Sequence, residues 1–300
     1  MRPTSLRAGG TRIHELSLVD AGAKMGSDVE VGPFCVVGPD VSLDDGCRLI
    51  SHVSITGCTT VGAKCEFYPG SVIGMPPQDL KYMGERTSID IGSHNIFREH
   101  VTVHPGTENG GGRTRIGSNN LLLANVHIAH DCQVGDKCVL ANSVQLAGHV
   151  QVESNVVFGG GTGVHHFVTI GRYAFVGGMS RITQDVPPFM ISVAARGPRS
   201  EIRMINGVGL QRAGFKEPEI LALKEAYLRL FSRRARASGA PIINSIYRIL
   251  SEGPDANVDY LCRFLLRAYE HGRHGRYLES LRHDSKWRRP LEGDGQPGRT

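Results

Sequence analysis

The stretch LLLANVHIAHDCQVGDKCVLANSVQLAGHVQV, residues 121–152, carries an aliphatic side chain at every sixth position: Leu122, Ile128, Val134, Leu140, Leu146 and Val152. A period of six fits neither the 3.6-residue turn of a helix nor the alternation of a lone strand. It suits short strands that meet at corners, as in a parallel β-helix. The lattice continues in both directions. Upstream it runs from Ile13 through Val31, Leu49 and Phe67 to Ile73, then through Ile91, Phe97, Val103 and Ile116; downstream it runs through Phe158, Val164, Ile170 and Val176 to Ile182. None of these positions is polar. Glycine follows many of them, Gly32, Gly62, Gly117 and Gly135 among others, which reads as a set of tight turns.

Three hexads complete one coil of a three-sided prism, so residues 18 apart stack at roughly 4.8 Å, the spacing of paired strands. Residues 74–89, with MPPQDLKYMGER, and 104–115, with PGTENGGGRTR, break the lattice. Their prolines, glycines and charges mark them as external loops, and long loops on a rigid scaffold tend to carry function. After Ile182 the hexads fade and helical spacing takes over in Glu201–Gln211, Pro218–Arg236, Pro241–Glu252 and Asn257–His271. The fold class is therefore an all-β solenoid followed by an α-helical C-terminal domain. The expected division is a β-helix domain over 1–198, a helical domain over 199–286 and a disordered tail over 287–300.

Of the 300 residues, 40% are hydrophobic and only 6% aromatic, which indicates a folded chain with a mainly aliphatic core. The net charge of +5 is too weak to imply nucleic acid but suits an acidic protein partner or an anionic substrate. Much of it lies late in the chain, at Arg233, Arg234, Arg236, Arg282, Lys286, Arg288 and Arg289. The seven cysteines form no CxxC pair, so buried reduced thiols are expected. There is neither a signal-like apolar segment at the start nor a stretch long enough to span a membrane, and a cytoplasmic protein is expected.

The chemistry follows from stacking. A single histidine on a solenoid is ordinarily a surface residue, but His130, Gly148 and His166 are spaced by 18 and should occupy equivalent sites on successive coils. Asp131 should likewise lie under His149. A face with several imidazoles, a carboxylate and an exposed glycine backbone suits acyl transfer to a hydroxyl: one imidazole removes the proton and a backbone N–H stabilises the oxyanion. No covalent nucleophile is needed. Cys132 is the only close candidate for one, and alternation leaves open whether it faces His130 or the interior.

These segments resemble the UDP-N-acetylglucosamine O-acyltransferases that begin lipid A biosynthesis. The resemblance spans about residues 13–215 and rests on GPFCVVGP, QDLKY, TVHPGT, NLLLANVHIAHDC, LAGHV, QDVPPFM and GLQRAGF, in that order. It implies a left-handed coil, an exception to the right-handed crossover rule, and a homotrimer with active sites between subunits. It further implies transfer of a 3-hydroxyacyl group from acyl carrier protein to the sugar 3-hydroxyl, without cofactor or metal. By the same resemblance His130 is the general base, Asp131 orients it and Gly148 supplies the oxyanion N–H. Gln78, Asp79, Lys81, His104, His127, His149, His165 and His166 match substrate-contacting positions, Asn206 and Arg212 match positions near the nucleotide, and Gly178 matches the residue that measures acyl length. His166 stands where Gln is expected and Ala213 where a second Arg is common.

Three rivals remain at this level. An N-acyltransferase of the same pathway normally carries a further N-terminal domain, for which a solenoid starting near residue 13 leaves no room. A zinc carbonic anhydrase on this scaffold would use an H-x4-H pair, which neither His127/His130 nor His100/His104 supplies. A non-enzymatic scaffold would leave the stacked imidazoles unexplained.

Overall fold

The computed structural model describes residues 5–6, 10–194, 200–237 and 241–282. Strands of mostly two residues fall into three sheets, parallel except at the two ends of one, and through the prism each sheet receives every third strand, so the chain visits them in rotation. Pairing follows the 18-residue interval: Glu30 with Arg48, Val36 with Ser54, Val139 with Val157, His127 with Gln145. Each two-residue strand points one side chain inward and one outward, and the inward set is the hexad lattice. Val31, Leu49, Phe67, Phe97, Leu122, Leu140, Phe158 and Val176 form one interior column, with Phe67 and Phe97 stacked at 4.6 Å. Burying a large aliphatic or aromatic side chain is worth about 1.5–3 kcal/mol, so a charge at any of these positions would open the coil stack.

The two loops lengthen single coils without breaking the sheets. Across the first, Val72 pairs with Thr102; across the second, Thr102 pairs with His127. Both loops are shorter than the sequence suggests, because Ser88–Ile91 and Arg113–Ile116 are already strands. The glycines after the hexads also require a correction. Gly32, Gly62, Gly117 and Gly135 do not have positive φ; instead, a Cβ at Gly32 would run into the Ile50 carbonyl, and one at Gly117 would sit 2.8 Å from the Gly135 backbone. They permit close approach of neighbouring coils. The left-handed corners are taken by other residues, among them Asn119, Asn125, Asp131, Lys137, Ser143, His149 and Phe167.

The helical spacing over Glu201–Gln211 is overturned in its first half. Ser200–Ile205 is a strand, paired antiparallel to Met190–Ala194 at the end of one sheet, and Ile202 packs against both the prism core and the helical core. An open sheet edge outweighs local helix propensity here. Helices follow: α1 (Gly207–Arg212), α2 (Glu217–Phe231), α3 (Arg233–Ala237), α4 (Ile242–Ser251), α5 (Ala256–Glu270) and α6 (Tyr277–Ser280). The single helix expected over Pro218–Arg236 is thus interrupted at Ser232, which is extended. Leu223, Leu230, Ile246, Ile249, Leu261 and Leu265 make a second core that also takes in Phe189 and Met190 from the prism end. The helices are joined to the prism by Arg172, whose guanidinium lies 3.8 Å over the Tyr260 ring. The expected boundary at 198–199 and the tail from 287, with Lys286, Arg288 and Arg289, lie outside the described residues, as do the side chains of Arg234 and Arg236. Among the described residues no helix is long and apolar enough to cross a membrane.

Candidate active site

His130, Gly148 and His166 meet as the coil register requires: His149 N–H donates to the His130 carbonyl and Phe167 N–H to the Gly148 carbonyl. Asp131, His149 and Phe167 therefore form a column of left-handed corners, with φ of 60, 62 and 63°. The His149 and Phe167 rings stack at 4.4 Å and 7°. His149 stands edge-on to His130 at 5.1 Å and places its Nε2 3.9 Å from Asp131 Oδ2.

Asp131 is the fixed point of the site. Its side chain is 1% exposed. Oδ1 accepts from Thr107 N–H at 2.9 Å, and Oδ2 accepts from the Thr107 hydroxyl at 2.6 Å and from His130 Nδ1 at 2.9 Å. Its own N–H donates to Thr114 Oγ1. A carboxylate that accepts from Nδ1 puts the imidazole proton there and leaves the lone pair on Nε2, the arrangement a general base needs. Nε2 looks toward Asp79 Oδ2 at 3.9 Å and over Gly148, where an added Cβ would lie 2.5 Å away. The Gly148 N–H has no acceptor among the described residues.

Both loops fold onto this corner. The first brings Asp79 and Lys81. The second brings Thr107 and Gly110, the latter packed directly on the Asp131 carboxylate. Asp79, Lys81, Thr107, Gly110, Asp131, His149 and Phe167 line one cavity of about 390 Å³. His104 and His127 form a neighbouring pair with ring centroids 5.0 Å apart, and the His127 Nδ1 is 2.7 Å from the Thr102 hydroxyl.

Burial holds the His104 imidazole down to about 4, reinforced by His127 and His130; burial also depresses His149 to about 4, against the opposing pull of Asp131, and lowers His127. These rings are neutral near pH 7. They surround the base as hydrogen-bonding groups rather than competing cations. A histidine held below its unfolded value of about 6.5 contributes stability above that pH and loses it as the pH falls toward 4. The urea midpoint of the wild-type protein should accordingly fall between pH 6.5 and 4.5, and His104→Gln should flatten that fall. An unchanged slope in the variant would mean that His104 is not buried neutral.

Some expected site residues lie elsewhere in the chain. Gln78 is exposed, and its N–H reaches His104 Nδ1 at a long 3.4 Å. His165 is exposed and lines a separate cavity with Arg181 and Arg276; His166 touches it but stays at the site, hydrogen-bonded to the Gly148 backbone and near enough to His130 and Asp79 to feel their charges. Asn206 caps α1, accepting from Gly209 N–H and donating to the Tyr173 carbonyl; Arg212 is exposed at the end of that helix, and neither lines the Asp131 cavity. Gly178 is exposed beside Met179 on the coil that follows Gly160. Cys132 is fully buried, donates to the Ala147 carbonyl and has its thiol pushed up to about 12 by burial, so it is no nucleophile. Six of the seven cysteines are buried and all are free; Cys58 is half-buried.

Thr107, Thr114, Gly110 and Phe167 escaped sequence reasoning. Only Thr107, inside TVHPGT, offered a signal. His130, Asp131 and His149 are close enough to share a cation. The Asp131 oxygens are already taken by Thr107 and by His130 Nδ1, however, which is the pattern of an oriented base rather than of a ligand set.

Residues 113–148 match the family model of bacterial transferase hexapeptide repeats, and residues 185–274 match that of UDP N-acetylglucosamine O-acyltransferase domain 2. The acyl-[acyl-carrier-protein]–UDP-N-acetylglucosamine O-acyltransferase of Thermodesulfovibrio yellowstonii is 42% identical over 84% of this chain and 99% of its own length. Among solved structures, LpxA from Acinetobacter baumannii is 38% identical with a TM-score of 0.78, covering 83% of this chain and 95% of that one. The UDP-N-acetylglucosamine acyltransferase of Francisella novicida is 33% identical with a TM-score of 0.78, covering 84% and 90%.

Proposed function

Because this chain belongs to the acyl-[acyl-carrier-protein]–UDP-N-acetylglucosamine O-acyltransferases, the acyltransferases of the first step of lipid A biosynthesis, we propose that it works by direct attack with His130 as general base. The sugar 3-hydroxyl adds to the thioester carbonyl of a 3-hydroxyacyl carrier protein while Nε2 takes its proton. The oxyanion is held by the Gly148 N–H. Collapse breaks the C–S bond, and the departing thiolate takes the proton back from the imidazolium, leaving an ester, a thiol and a neutral His130. Asp131, clamped by Thr107, holds the tautomer and stabilises the transient cation. One observation carries this reading: Nδ1 is tied to a buried carboxylate while Nε2 opens on an unengaged backbone amide.

Asp79 and Lys81 would position the sugar nucleotide, and His104, His127 and His149 would line its cleft. His165, Asn206 and Arg212 stand apart from His130 and Gly148 within one chain, which is what sites completed between subunits would require. A left-handed coil, a homotrimer and a cytoplasmic setting are part of the same proposal. So is docking of an acidic carrier protein on the basic helical region.

Gly178 sets acyl length in this reading. A side chain there would meet the Gly160 carbonyl at 3.1 Å and project from the coil beside the exposed Met179. The test is a turnover assay across donors of graded chain length. Wild type should esterify UDP-N-acetylglucosamine in preference to the amine of a deacetylated monoacyl sugar nucleotide, and Gly178→Met should move the optimum to shorter donors by about tenfold or more in relative kcat/KM. Preference for the amine would make this an N-acyltransferase, and an unchanged length profile would remove Gly178 as the ruler.

A further inference from the structure

Beyond α5 the chain turns back and runs along the prism. The Arg276 guanidinium, in a side chain 9% exposed, donates to the Thr183 carbonyl at 2.7 Å and is paired with Glu279. Tyr277 N–H donates to Asp185 Oδ2 at 2.9 Å, Asp185 N–H donates to the Gly275 carbonyl at 2.9 Å, and Asp185 Oδ1 accepts from Thr169 N–H at 2.7 Å. This latch of backbone and buried side chains fixes Arg273–Arg282 as a strap. The match to the domain 2 family model ends at residue 274, before most of the strap.

The strap ends at the cavity beside Asp131 and His149, next to the base. Leu278, Leu281 and Arg282 line it together with Asp79, Lys81, Asp131 and His149. The Arg282 guanidinium lies 5.4 Å over the Phe167 ring, and Phe167 is stacked on His149. The cavity thus has two cations in its lining, Lys81 from the first loop and Arg282 from the strap, together with Leu278 and Leu281. Carboxylates already occupy the floor. Two cations lining one pocket of this size suit a phosphate, and a guanidinium binds one through two parallel hydrogen bonds.

We propose that the strap is a fixed wall of the active site in which Arg282 binds a phosphate of a substrate. The proposal rests on the acyltransferase reading, under which both substrates carry one: the diphosphate of the sugar nucleotide and the phosphodiester of the carrier protein's prosthetic arm. The strap also explains how Arg282 is kept in place, since Arg276 and Tyr277 anchor it a short distance upstream through Thr183 and Asp185.

The experiment compares full-length wild type with Arg282→Ala and Arg282→Lys in steady-state turnover, varying each substrate in turn. Arg282→Ala should raise one KM about five- to tenfold with kcat within twofold, and Arg282→Lys should recover part of it. A rise confined to UDP-N-acetylglucosamine assigns the diphosphate; a rise confined to the acyl carrier protein assigns the prosthetic-arm phosphate. Both KM values unchanged within twofold, in a variant with wild-type kcat, would overturn the proposal. Absence of turnover in the wild type would instead strike at the reaction itself. Calorimetric titration with UDP-N-acetylglucosamine and with unacylated carrier protein then decides the wall separately: weaker binding of either by Arg282→Ala supports it, and equal binding of both rejects it.

Discussion

Replacing His130 by alanine should lower kcat by about 10²-fold or more, because general-base catalysis typically contributes 10²–10⁴-fold. The fold should survive. His130 stands at a corner rather than in the hexad lattice, and its removal leaves no aliphatic column short of a member. The Asp131 carboxylate keeps both hydrogen bonds from Thr107 when the imidazole is gone. KM for the sugar nucleotide should change little, since the base acts on the proton in flight rather than on the bound ground state. A loss of less than about tenfold in kcat would eliminate His130 as the base. The measurement is a turnover assay with a carrier-protein donor, alongside a thermal scan to establish that the variant is folded.

Gly148→Ala should be nearly as damaging, for a reason separate from the oxyanion. A methyl group at 148 would lie 2.5 Å from His130 Nε2 and 3.0 Å from Nδ1. The atoms in the way belong to a side chain, so the ring can swing aside while the coil stays intact. Backbone strain is not involved, because Gly148 does not have positive φ. The swing would break the hydrogen bond to Asp131 and carry Nε2 away from the amide it faces. The expected loss is about 10²-fold in kcat with the thermal midpoint close to wild type. In a His130→Ala background the same methyl group has no imidazole to displace, and it should cost far less. Two losses that simply multiply in the double variant would show that the glycine and the imidazole act independently.

The legibility of this chain follows from its repetition. Asp131 beneath His149, and His130 beneath Gly148, could be placed by counting 18 residues because every intervening position is held by a hexad whose inward aliphatic residue admits only one register. The same logic failed where repetition stops. Glu201 to Ile205 has helical spacing, yet a free sheet edge and a hairpin partner at Met190–Ala194 made it a strand. Gly32, Gly62, Gly117 and Gly135, which looked like turns, are spacers between coils, because Asn, Asp, His and Lys also occupy left-handed corners. Asn206 and Arg212 matched a pattern of residues, but in one chain they serve a helix cap and an exposed helix end.

The order of residues by itself determined the prism, its register, the buried thiols and the meeting of His130, Asp131, Gly148 and His149. These depend on contacts between neighbouring coils, which a fixed period encodes locally. Only the tertiary structure decided what clamps and walls the site. Thr107 reaches Asp131 across 24 residues, through a loop with no period, and Tyr277 reaches Asp185 across 92. Such contacts depend on where an irregular segment comes to rest, and side-chain packing with hydrogen-bond closure, rather than spacing, chooses that place.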